Sequence, residues 1–333
     1  MSWIARVSAA FDNEMTQNLN QNLSGALPDL PLPEPSAVVP LTMSDGAVVV
    51  LRRHGKAGGP RLALSHGNGL AIDAYAPFWR LLAECHELIL FDVRNHGVNP
   101  LHTREGHTWP RIFLDFEEIY QGIQRAFGAA PTVGVFHSLS AIASLQHTLA
   151  QNEQGQGPRW AALALFDPPI CPRLGHPLYD EHFADMRIMT NRASRRPESY
   201  AAPQEFAMQI ATRRQFSRLV PEAPMALARA TLREASDGRW HLCNPRDFEA
   251  SLYLSQDDAT LWPRMRGLPV PTILIGGDPA VSDTPAAKVS AALHEELGIA
   301  YRAVPDTTHF LQTERPQACA DVLQQFLMQH RLT

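Results

Sequence analysis

The sequence lacks the marks of several large classes of protein. It contains only four cysteines, which are far apart and make no metal-ligand spacing: Cys85, Cys171, Cys243 and Cys319. This pattern favours free thiols in a reducing compartment over a disulfide framework. No stretch approaches the roughly 18 apolar residues that a membrane span requires, and residues 1–15 lack the basic and apolar blocks of a signal peptide. We therefore expect a cytoplasmic protein.

Positive charge is not in excess either. The chain has 29 Lys and Arg residues against 34 Asp and Glu residues, a net charge of −5, so its electrostatics do not favour nucleic acid as the main partner. It has no H-E-x-x-H motif, no clustered Cys/His pairs and no G-x-x-x-x-G-K-[ST] phosphate loop. We therefore predict a protein without a bound metal or cofactor.

Strand and helix patterns alternate along most of the 333-residue chain, of which 45% is hydrophobic. Short apolar runs predict strands buried on both faces, at 61–65, 87–92, 132–136, 159–167 and 271–277. Helical spacing occupies other stretches, at 75–85, 109–127, 139–150, 284–297 and 316–330. Such alternation predicts an α/β fold with a mostly parallel central sheet and helices on both faces.

The pattern also divides the chain into segments. Residues 1–46 read as a short helix followed by a proline-rich arm, because the stretch "LPDLPLPEPSAVVP" forbids a regular helix or a central strand. Strand–helix alternation stops between Asp167 and Trp262, where helical patterns and loops occur without a convincing buried strand. We therefore predict a helical cap at 168–262, inserted into a core formed by 47–167 and 263–333.

Chemically capable side chains follow several of the predicted strands. Ser138, Asp167, Asp278 and His309 each come at or shortly after a strand end, and open parallel sheets bind ligands outside the carboxyl ends of their strands. In Ser-His-acid hydrolysis the hydroxyl gives its proton to an imidazole that a carboxylate orients. The chain order of serine, aspartate and histidine matches one hydrolase architecture. A serine at a strand-to-helix junction is also a common helix cap, so both roles stay open for Ser138.

Four local motifs resemble those of the α/β-hydrolase family, from about Ala47 to the C-terminus. "HGNG" is similar to the family's oxyanion loop and "DVRNHG" to its D-x-R-x-H-G turn. "FHSLS" occurs where the nucleophile elbow belongs, and "HFLQTERP" resembles the segment around the family's general base. The resemblance implies an α/β-hydrolase fold with Ser138 as nucleophile and His309 as base. Within the family, "NHG", "FDPPI" and "LCNPRDFEASLY" are similar to a branch of capped hydrolases that includes a yeast peroxisomal lipase.

The chain departs from the family pattern at two places. The elbow G-x-S-x-G has Phe136 instead of its first glycine, which needs extra room, whereas Ser140 is small enough to replace the second. The aspartate that the family places after its seventh strand, here the predicted strand at 271–277, is missing, since counting from either glycine of "GGDPA" gives Pro279 or Ala280. Asp167, at the family's alternative position for the acid, is favoured over Asp278. A serine nucleophile argues against epoxide hydrolase or dehalogenase chemistry, because those relatives use aspartate there.

The supporting groups follow from the same resemblance. Backbone N–H groups of Leu139 and Asn68 are expected to form the oxyanion hole, in a turn that Gly67 and Gly69 permit. His137 is expected to point away from the serine. His66 and His96 are expected to be hydrogen-bonded parts of their turns.

The predicted cap is rich in arginine. Its arginines between 187 and 233 are Arg187, Arg192, Arg195, Arg196, Arg213, Arg214, Arg218, Arg229 and Arg233. Most are expected to form a solvated face, while one or two could reach the cleft and favour a substrate with a carboxylate or phosphate. Apolar cap residues are expected mainly to pack the cap: Phe183, Met186, Met189, Phe206, Met208 and Phe216.

These features together predict a cofactor-free serine hydrolase that cleaves a carboxylic ester through an acyl-enzyme on Ser138. Its expected partner is a small-molecule ester, with an anionic ester as one alternative. A thioesterase or lactonase would use the same triad. A non-catalytic binding protein with this fold is a further alternative, which the altered elbow and the missing strand-seven acid favour.

Overall fold

Eight strands form one sheet in the order β1-β2-β4-β3-β5-β6-β10-β11. Strand β2 pairs antiparallel with both β1 and β4, and all other neighbours are parallel. A computed structural model describes residues 27–332 of the chain. The strands are β1 (Ala37–Thr42), β2 (Val48–Gly55), β3 (Arg61–Ser65), β4 (Glu87–Phe91), β5 (Thr132–His137), β6 (Ala162–Phe166), β7 (Ser199–Tyr200), β8 (Leu232–Glu234), β9 (Trp240–Leu242), β10 (Thr272–Gly276) and β11 (Ala300–Ala303). The predicted α/β fold with a mostly parallel sheet is confirmed.

Helices cover both faces of this sheet. They are α1 (Ala76–Trp79), α2 (Trp109–Phe127), α3 (Leu139–Glu153), α4 (Tyr179–Ser194), α5 (Pro203–Ala211), α6 (Ala223–Thr231), α7 (Arg246–Leu254), α8 (Leu261–Arg264), α9 (Ala286–Leu297), α10 (Leu311–Glu314) and α11 (Pro316–Gln329). Short 3₁₀ turns flank α1 at Ile72–Tyr75 and Arg80–Leu82. Among the described residues, no helix is both long and apolar enough to cross a membrane.

The two faces of the sheet have separate cores. Every residue of β3, β4, β5, β6 and β10 is buried, as continuous apolar runs predict for strands covered on both sides. Along β3, Ala63 joins the core that includes α2, α3 and α9, whereas Leu62 and Leu64 join the core that includes α1 and α11. This alternation follows from the two-residue period of a strand.

The chain leaves the sheet between β6 and β10, in the inserted segment (residues 168–262). It holds helices α4 to α8 and a small antiparallel sheet of order β7-β9-β8. The sequence predicted helices without strands here. These strands are only two or three residues long, too short for apolar alternation to reveal them, and Tyr200, Leu232 and Leu242 form their small core.

The N-terminal arm differs in part from its prediction. Residues 37–42 of the predicted arm form edge strand β1, which accommodates Pro40 because an edge strand does not need every N–H group for pairing. Residues 27–36 carry no regular structure. In this stretch Leu27 packs against the cluster of Ala207, Met225 and Ala228, and Asp29 forms a 2.7 Å ion pair with Arg229. The predicted N-terminal helix lies outside the described residues.

Candidate active site

Loops at the carboxyl edge of the sheet bring Ser138, Asp167 and His309 together. Ser138 follows β5, Asp167 follows β6, and His309 follows β11. The Nε2 atom of His309 lies 3.1 Å from Ser138 Oγ, and its Nδ1 atom lies 2.7 Å from Asp167 Oδ2. The three predicted side chains therefore form one hydrogen-bonded series.

Ser138 has a strained backbone conformation. Its φ is 52° and its ψ is −110°, in a region that residues other than glycine rarely occupy. The Ser138 N–H donates to Phe166 O at 3.0 Å, and its carbonyl accepts from the Ile142 N–H at 3.1 Å. Its side chain does not cap α3. The hydroxyl instead faces His309, as in a nucleophile elbow.

The space for Phe136 comes from a different glycine. Phe136 is fully buried, and its ring makes edge-to-face contacts with Phe91, Phe116 and Trp160. A Cβ atom on Gly134 would lie 2.3 Å from the Phe136 ring. Gly134 and Phe136 are two residues apart on one face of β5, so glycine at 134 leaves the room that the aromatic ring at 136 occupies.

The turn after β5 is closed by Ser140. Its Oγ donates to His137 O at 2.9 Å and accepts from the His137 N–H at 3.0 Å. Ser140 is fully buried. The residue that replaces the second glycine of the elbow is therefore small enough to fit, and its hydroxyl bonds the backbone of the turn.

Two backbone N–H groups next to Ser138 have no acceptor among the described residues. They belong to Asn68, in the loop after β3, and to Leu139, the first residue of α3. A Cβ atom on Gly67 would lie 3.1 Å from Ser138 Cβ, so the absence of a side chain at 67 brings this loop close to the serine. The Asn68 side chain is held elsewhere, because its Nδ2 donates to Glu249 O at 2.9 Å.

Two buried histidines hold this loop. The Nδ1 atom of His66 donates to Gly67 O at 2.8 Å, and the Nε2 atom of His96 accepts from the Gly69 N–H at 3.2 Å. Burial lowers the pKa of His66 to about 4 and that of His96 to about 3. Both rings are therefore neutral near pH 7, as the acceptor role of His96 requires.

A second network joins this loop to His309. His137 Nε2 donates to His309 O at 2.9 Å, which leaves its Nδ1 to accept from the Tyr75 hydroxyl at 2.7 Å. The Tyr75 oxygen accepts in turn from the Gly67 N–H at 3.2 Å. Burial holds the pKa of His137 well below its usual value. His137 therefore points away from the Ser138 hydroxyl and links the loops of Gly67 and His309.

The two candidate acids have different partners. Asp167 is fully buried, and its Oδ1 accepts from the Gly277 N–H at 3.1 Å while Oδ2 faces His309. The two oxygens of Asp278 accept instead from the backbone N–H groups of Ala280 and Asp306, which lower its pKa. Among the described contacts, Asp278 makes no hydrogen bond to His309.

The electrostatics of His309 reflect this arrangement. Burial opposes its charged form, but the hydrogen bond and charge of Asp167 outweigh burial and raise the pKa of His309 above its ordinary value. The charges of Asp185 and Glu314 act in the same direction. Burial raises the pKa of Asp185 itself to about 6. The site is therefore suited to holding an imidazolium next to a buried carboxylate.

A cavity of about 650 Å³ opens onto Ser138, Asn68 and His309. Helices α4 to α7 of the inserted segment contribute to its wall. Four of the nine predicted arginines line it, namely Arg192, Arg195, Arg196 and Arg213, and three of the six apolar residues do so, namely Met189, Phe206 and Phe216. The volume lies in the range of small-molecule sites.

The sequence did not point to every residue of this site. Tyr75 follows the "HGNG" motif by six residues and bonds His137, whereas Asp185 is far from the motifs in the chain and acts on His309 through its charge. Tyr75 is part of an apolar helical pattern, in which one aromatic residue carries no separate signal. Within residues 27–332, no three His, Cys, Asp or Glu side chains are grouped to hold a metal ion.

Comparisons with known proteins extend these observations. A family model described as "Alpha/beta hydrolase family" matches residues 62–322. The search of curated proteins gave no match to the chain. Similar solved structures include an E-2-(acetamidomethylene)succinate hydrolase, with a TM-score of 0.71 and 16% identity, covering 88% of this chain and 99% of that one.

Two further solved structures have a similar fold. A thioesterase domain from the curacin biosynthetic pathway gives a TM-score of 0.66 at 14% identity, covering 87% of this chain and 100% of that one. A structure from a study of carboxylesterases of the thaumarchaeon Nitrososphaera gargenis gives 0.64 at 13% identity, covering 89% and 99%. Identities this low indicate a shared fold and leave the substrate open.

Proposed function

Because the chain belongs to the alpha/beta hydrolase family, we propose that it is a cofactor-free serine hydrolase that cleaves a carboxylic ester. The observation that carries the proposal is the hydrogen-bonded series from Ser138 Oγ through His309 to Asp167. This series lies next to two N–H groups without acceptors among the described residues. A nucleophile, a base, an orienting acid and an oxyanion site are the parts that acyl transfer needs.

In the proposed first half-reaction, Ser138 Oγ attacks the acyl carbon while its proton passes to His309 Nε2. Asp167 holds the imidazole in the tautomer that accepts this proton and stabilises the resulting imidazolium. The Asn68 and Leu139 N–H groups donate to the oxyanion. The intermediate collapses, the alcohol leaves with the proton from His309, and the acyl group stays on Ser138 as an ester.

In the second half-reaction, water replaces the alcohol. A water molecule attacks the acyl-enzyme as its proton passes to His309 Nε2. The second intermediate then expels Ser138 Oγ, which recovers the proton from His309, and the carboxylic acid leaves. Every proton taken up is returned, so the enzyme ends the cycle unchanged.

We further propose that the inserted segment acts as a cap over this site. Support comes from the cavity wall, to which α4 to α7 contribute. Met189, Phe206 and Phe216 give the cavity apolar surface next to its polar floor. Such a cap would exclude water around the acyl group and select substrates by shape.

Two sequence features that favoured a non-catalytic binding protein are compatible with catalysis. Gly134 leaves the space that Phe136 occupies, and Asp167 bonds His309 in place of an acid after β10. A thioester or lactone would react through the same steps. The choice among these substrates therefore depends on measurement.

The test measures whether the protein hydrolyses esters of graded acyl length, and compares them with matched thioesters and lactones. We expect turnover of at least one ester. Ser138→Ala should reduce kcat by a factor on the order of 10⁵–10⁶, while Ser255→Ala, an exposed serine at the end of α7, should leave it unchanged. Hydrolysis that persists in Ser138→Ala would overturn the proposal. Preferential turnover of thioesters or lactones would overturn the part of it that names a carboxylic ester as the substrate.

A further inference from the structure

We propose that the substrate carries an anionic oxygen group, a carboxylate or a phosphate, which Arg192, Arg195 and Arg213 receive. This inference rests on the proposed function, because it assigns a substrate class to the same cavity. The three arginines line the cavity that also contains Ser138 and His309. An anion bound to them would therefore be part of the molecule whose ester reaches the serine.

The cavity wall contains a fourth arginine, Arg196, which is already paired with a carboxylate. Arg196 is paired with Glu249 at 2.7 Å, and the Glu249 side chain is only 4% exposed. This pair is neutral overall, so Arg196 supplies little net charge to a ligand. Its partner also lies directly on the loop after β3, where a Cβ atom on Gly69 would come within 2.5 Å of the Glu249 carboxylate.

The other three arginines are not neutralised in this way. Within residues 27–332, none of Arg192, Arg195 and Arg213 forms a salt bridge with a carboxylate. Among the described residues, the only side-chain hydrogen bond of the Arg192 guanidinium is to the Met189 sulfur at 4.0 Å, and the charge of Asp185 interacts with it without forming a salt bridge. Three guanidinium groups therefore remain able to bind an anion.

The local charge is opposite to that of the whole chain. The net charge of the protein is −5, whereas the cavity wall holds four arginines and two acidic residues, Glu249 and Asp283. Clustered charge of one sign in a cleft with apolar walls raises the local concentration of an oppositely charged substrate. The cavity is therefore an electropositive region on an acidic protein.

The chemistry of arginine defines what it would bind. A guanidinium group donates two parallel hydrogen bonds to carboxylate or phosphate oxygens, and it stays charged throughout the working pH range. The remaining wall includes apolar side chains such as Ile210, Leu227 and Phe310. The predicted substrate is thus an ester with an apolar body and an oxyanion at one end.

A solvated arginine face is the competing explanation, and the chain offers controls for it. Arg187 lies on α4 with Arg192 and is exposed, but it is not part of the cavity wall and its Nε donates to Phe183 O. Arg214 follows Arg213 directly and is also outside the wall. Replacing either one removes the same charge as a single cavity substitution, from the same region, without changing the cavity wall.

The first experiment measures binding without turnover. It uses Ser138→Ala and compares esters that differ only in a terminal carboxylate, such as monomethyl and dimethyl esters of dicarboxylic acids of graded length. We expect the anionic ester to bind more tightly, and each of Arg192→Gln, Arg195→Gln and Arg213→Gln to weaken its binding about five- to tenfold. The neutral ester and the Arg187→Gln and Arg214→Gln controls should show no change. The same series with a terminal phosphate identifies which oxyanion is preferred.

The second experiment measures kcat/KM of the wild-type chain for matched anionic and neutral p-nitrophenyl esters. A preference for the anionic ester that disappears in the triple arginine variant supports the inference. Equal binding of the two esters at every chain length, or a preference that survives the triple variant, overturns it. Charge-dependent binding without hydrolysis would support the inference and refute the proposed hydrolase function instead.

Discussion

At the scale of single residues, Asp167 and Asp278 form hydrogen bonds with different partners, and only one of them bonds the imidazole of His309. Asp167 is buried and divides its oxygens between His309 and the Gly277 N–H. Asp278 bonds the backbone of its own turn and of Asp306. Only the first arrangement fixes the tautomer of an imidazole, so Asp167 is the acid we assign to the proposed triad.

The first prediction concerns this assignment. Asp167→Asn should lower kcat for a hydrolysed ester by about 10⁴, because an amide stabilises the wrong tautomer and carries no charge for the imidazolium. Asp278→Asn, measured with the same ester, should keep kcat close to that of the wild type. If Asp278→Asn loses activity and Asp167→Asn keeps it, the assignment is wrong.

The second prediction concerns Tyr75, whose hydroxyl joins the Gly67 N–H to His137 and thereby to the backbone of His309. Tyr75→Phe should lower kcat about tenfold with little change in KM, because it leaves two buried groups without a partner and loosens the geometry of reaction. Steady-state kinetics separate the two constants. Tyr120→Phe, a ring that packs on Trp160, is the matched control. A rise in KM with unchanged kcat would argue against a positioning role.

At the scale of elements, the packing of β5 depends on having glycine at position 134 and an aromatic residue at position 136. Gly134→Ala would place a methyl group 2.3 Å from the Phe136 ring. The third prediction is that Gly134→Ala lowers the free energy of unfolding by about 1–3 kcal/mol. Urea denaturation measures this change.

Two further variants decide whether the cause is this contact. Gly267→Ala, where a Cβ atom meets no heavy atom within 4 Å, should change stability by at most about 0.5 kcal/mol. In a Phe136→Leu background, Gly134→Ala should cost less than it does alone, since the smaller side chain leaves more space. Additive effects of the two substitutions would show that the contact is not responsible.

The elements also show which kinds of structure the sequence predicts. The long, amphipathic α2 was predicted at its observed bounds of 109–127, and the fully buried β3 at 61–65. Strand β1 lies in a stretch predicted as an extended arm, because Pro40 conceals an edge strand, and β7 to β9 were missed because they are so short. Strong periodicity is therefore visible in the sequence, whereas pairing at an edge is not.

The site follows the same rule. Ser138, Asp167 and His309 could be predicted as candidates because each lies in or beside a motif at a strand end, although the residues alone left the acid open. The role of Gly134 could not be predicted from a family pattern that places glycine at 136. Likewise, the hydrogen bond from Tyr75 to His137 joins residues 62 positions apart, so no local motif contains both of them.

At the scale of the whole molecule, the interior holds several neutral histidines. Burial lowers the pKa of His54 and His66 to about 4, of His96 to about 3 and of His107 to about 2. These folded-state values lie below the unfolded value of about 6.5. Their contribution to stability is therefore present above about pH 6.5 and is lost as the pH falls toward the folded values. Groups whose pKa is raised in the folded state, among them His309 and Asp185, have the opposite sign and offset part of this loss.

The fourth prediction is that the free energy of unfolding falls as the pH drops from about 6.5 to about 4.5. Each buried histidine adds a slope of about 1.4 kcal/mol per pH unit. Urea denaturation at several pH values measures this slope. His107→Asn should reduce it, while His241→Asn, at a side chain that is 43% exposed, should not. Stability that stays constant over this range would contradict the prediction.

The most direct test of the whole account is labelling of the full chain by a fluorophosphonate, which reacts with an activated serine. Mass spectrometry of the intact protein and of its peptides then locates the adduct. We predict one adduct per chain, on Ser138, with no labelling of Ser138→Ala and strongly slowed labelling of His309→Ala. An unlabelled wild-type chain, or an adduct on another residue, would contradict the claim that Ser138 is an activated nucleophile.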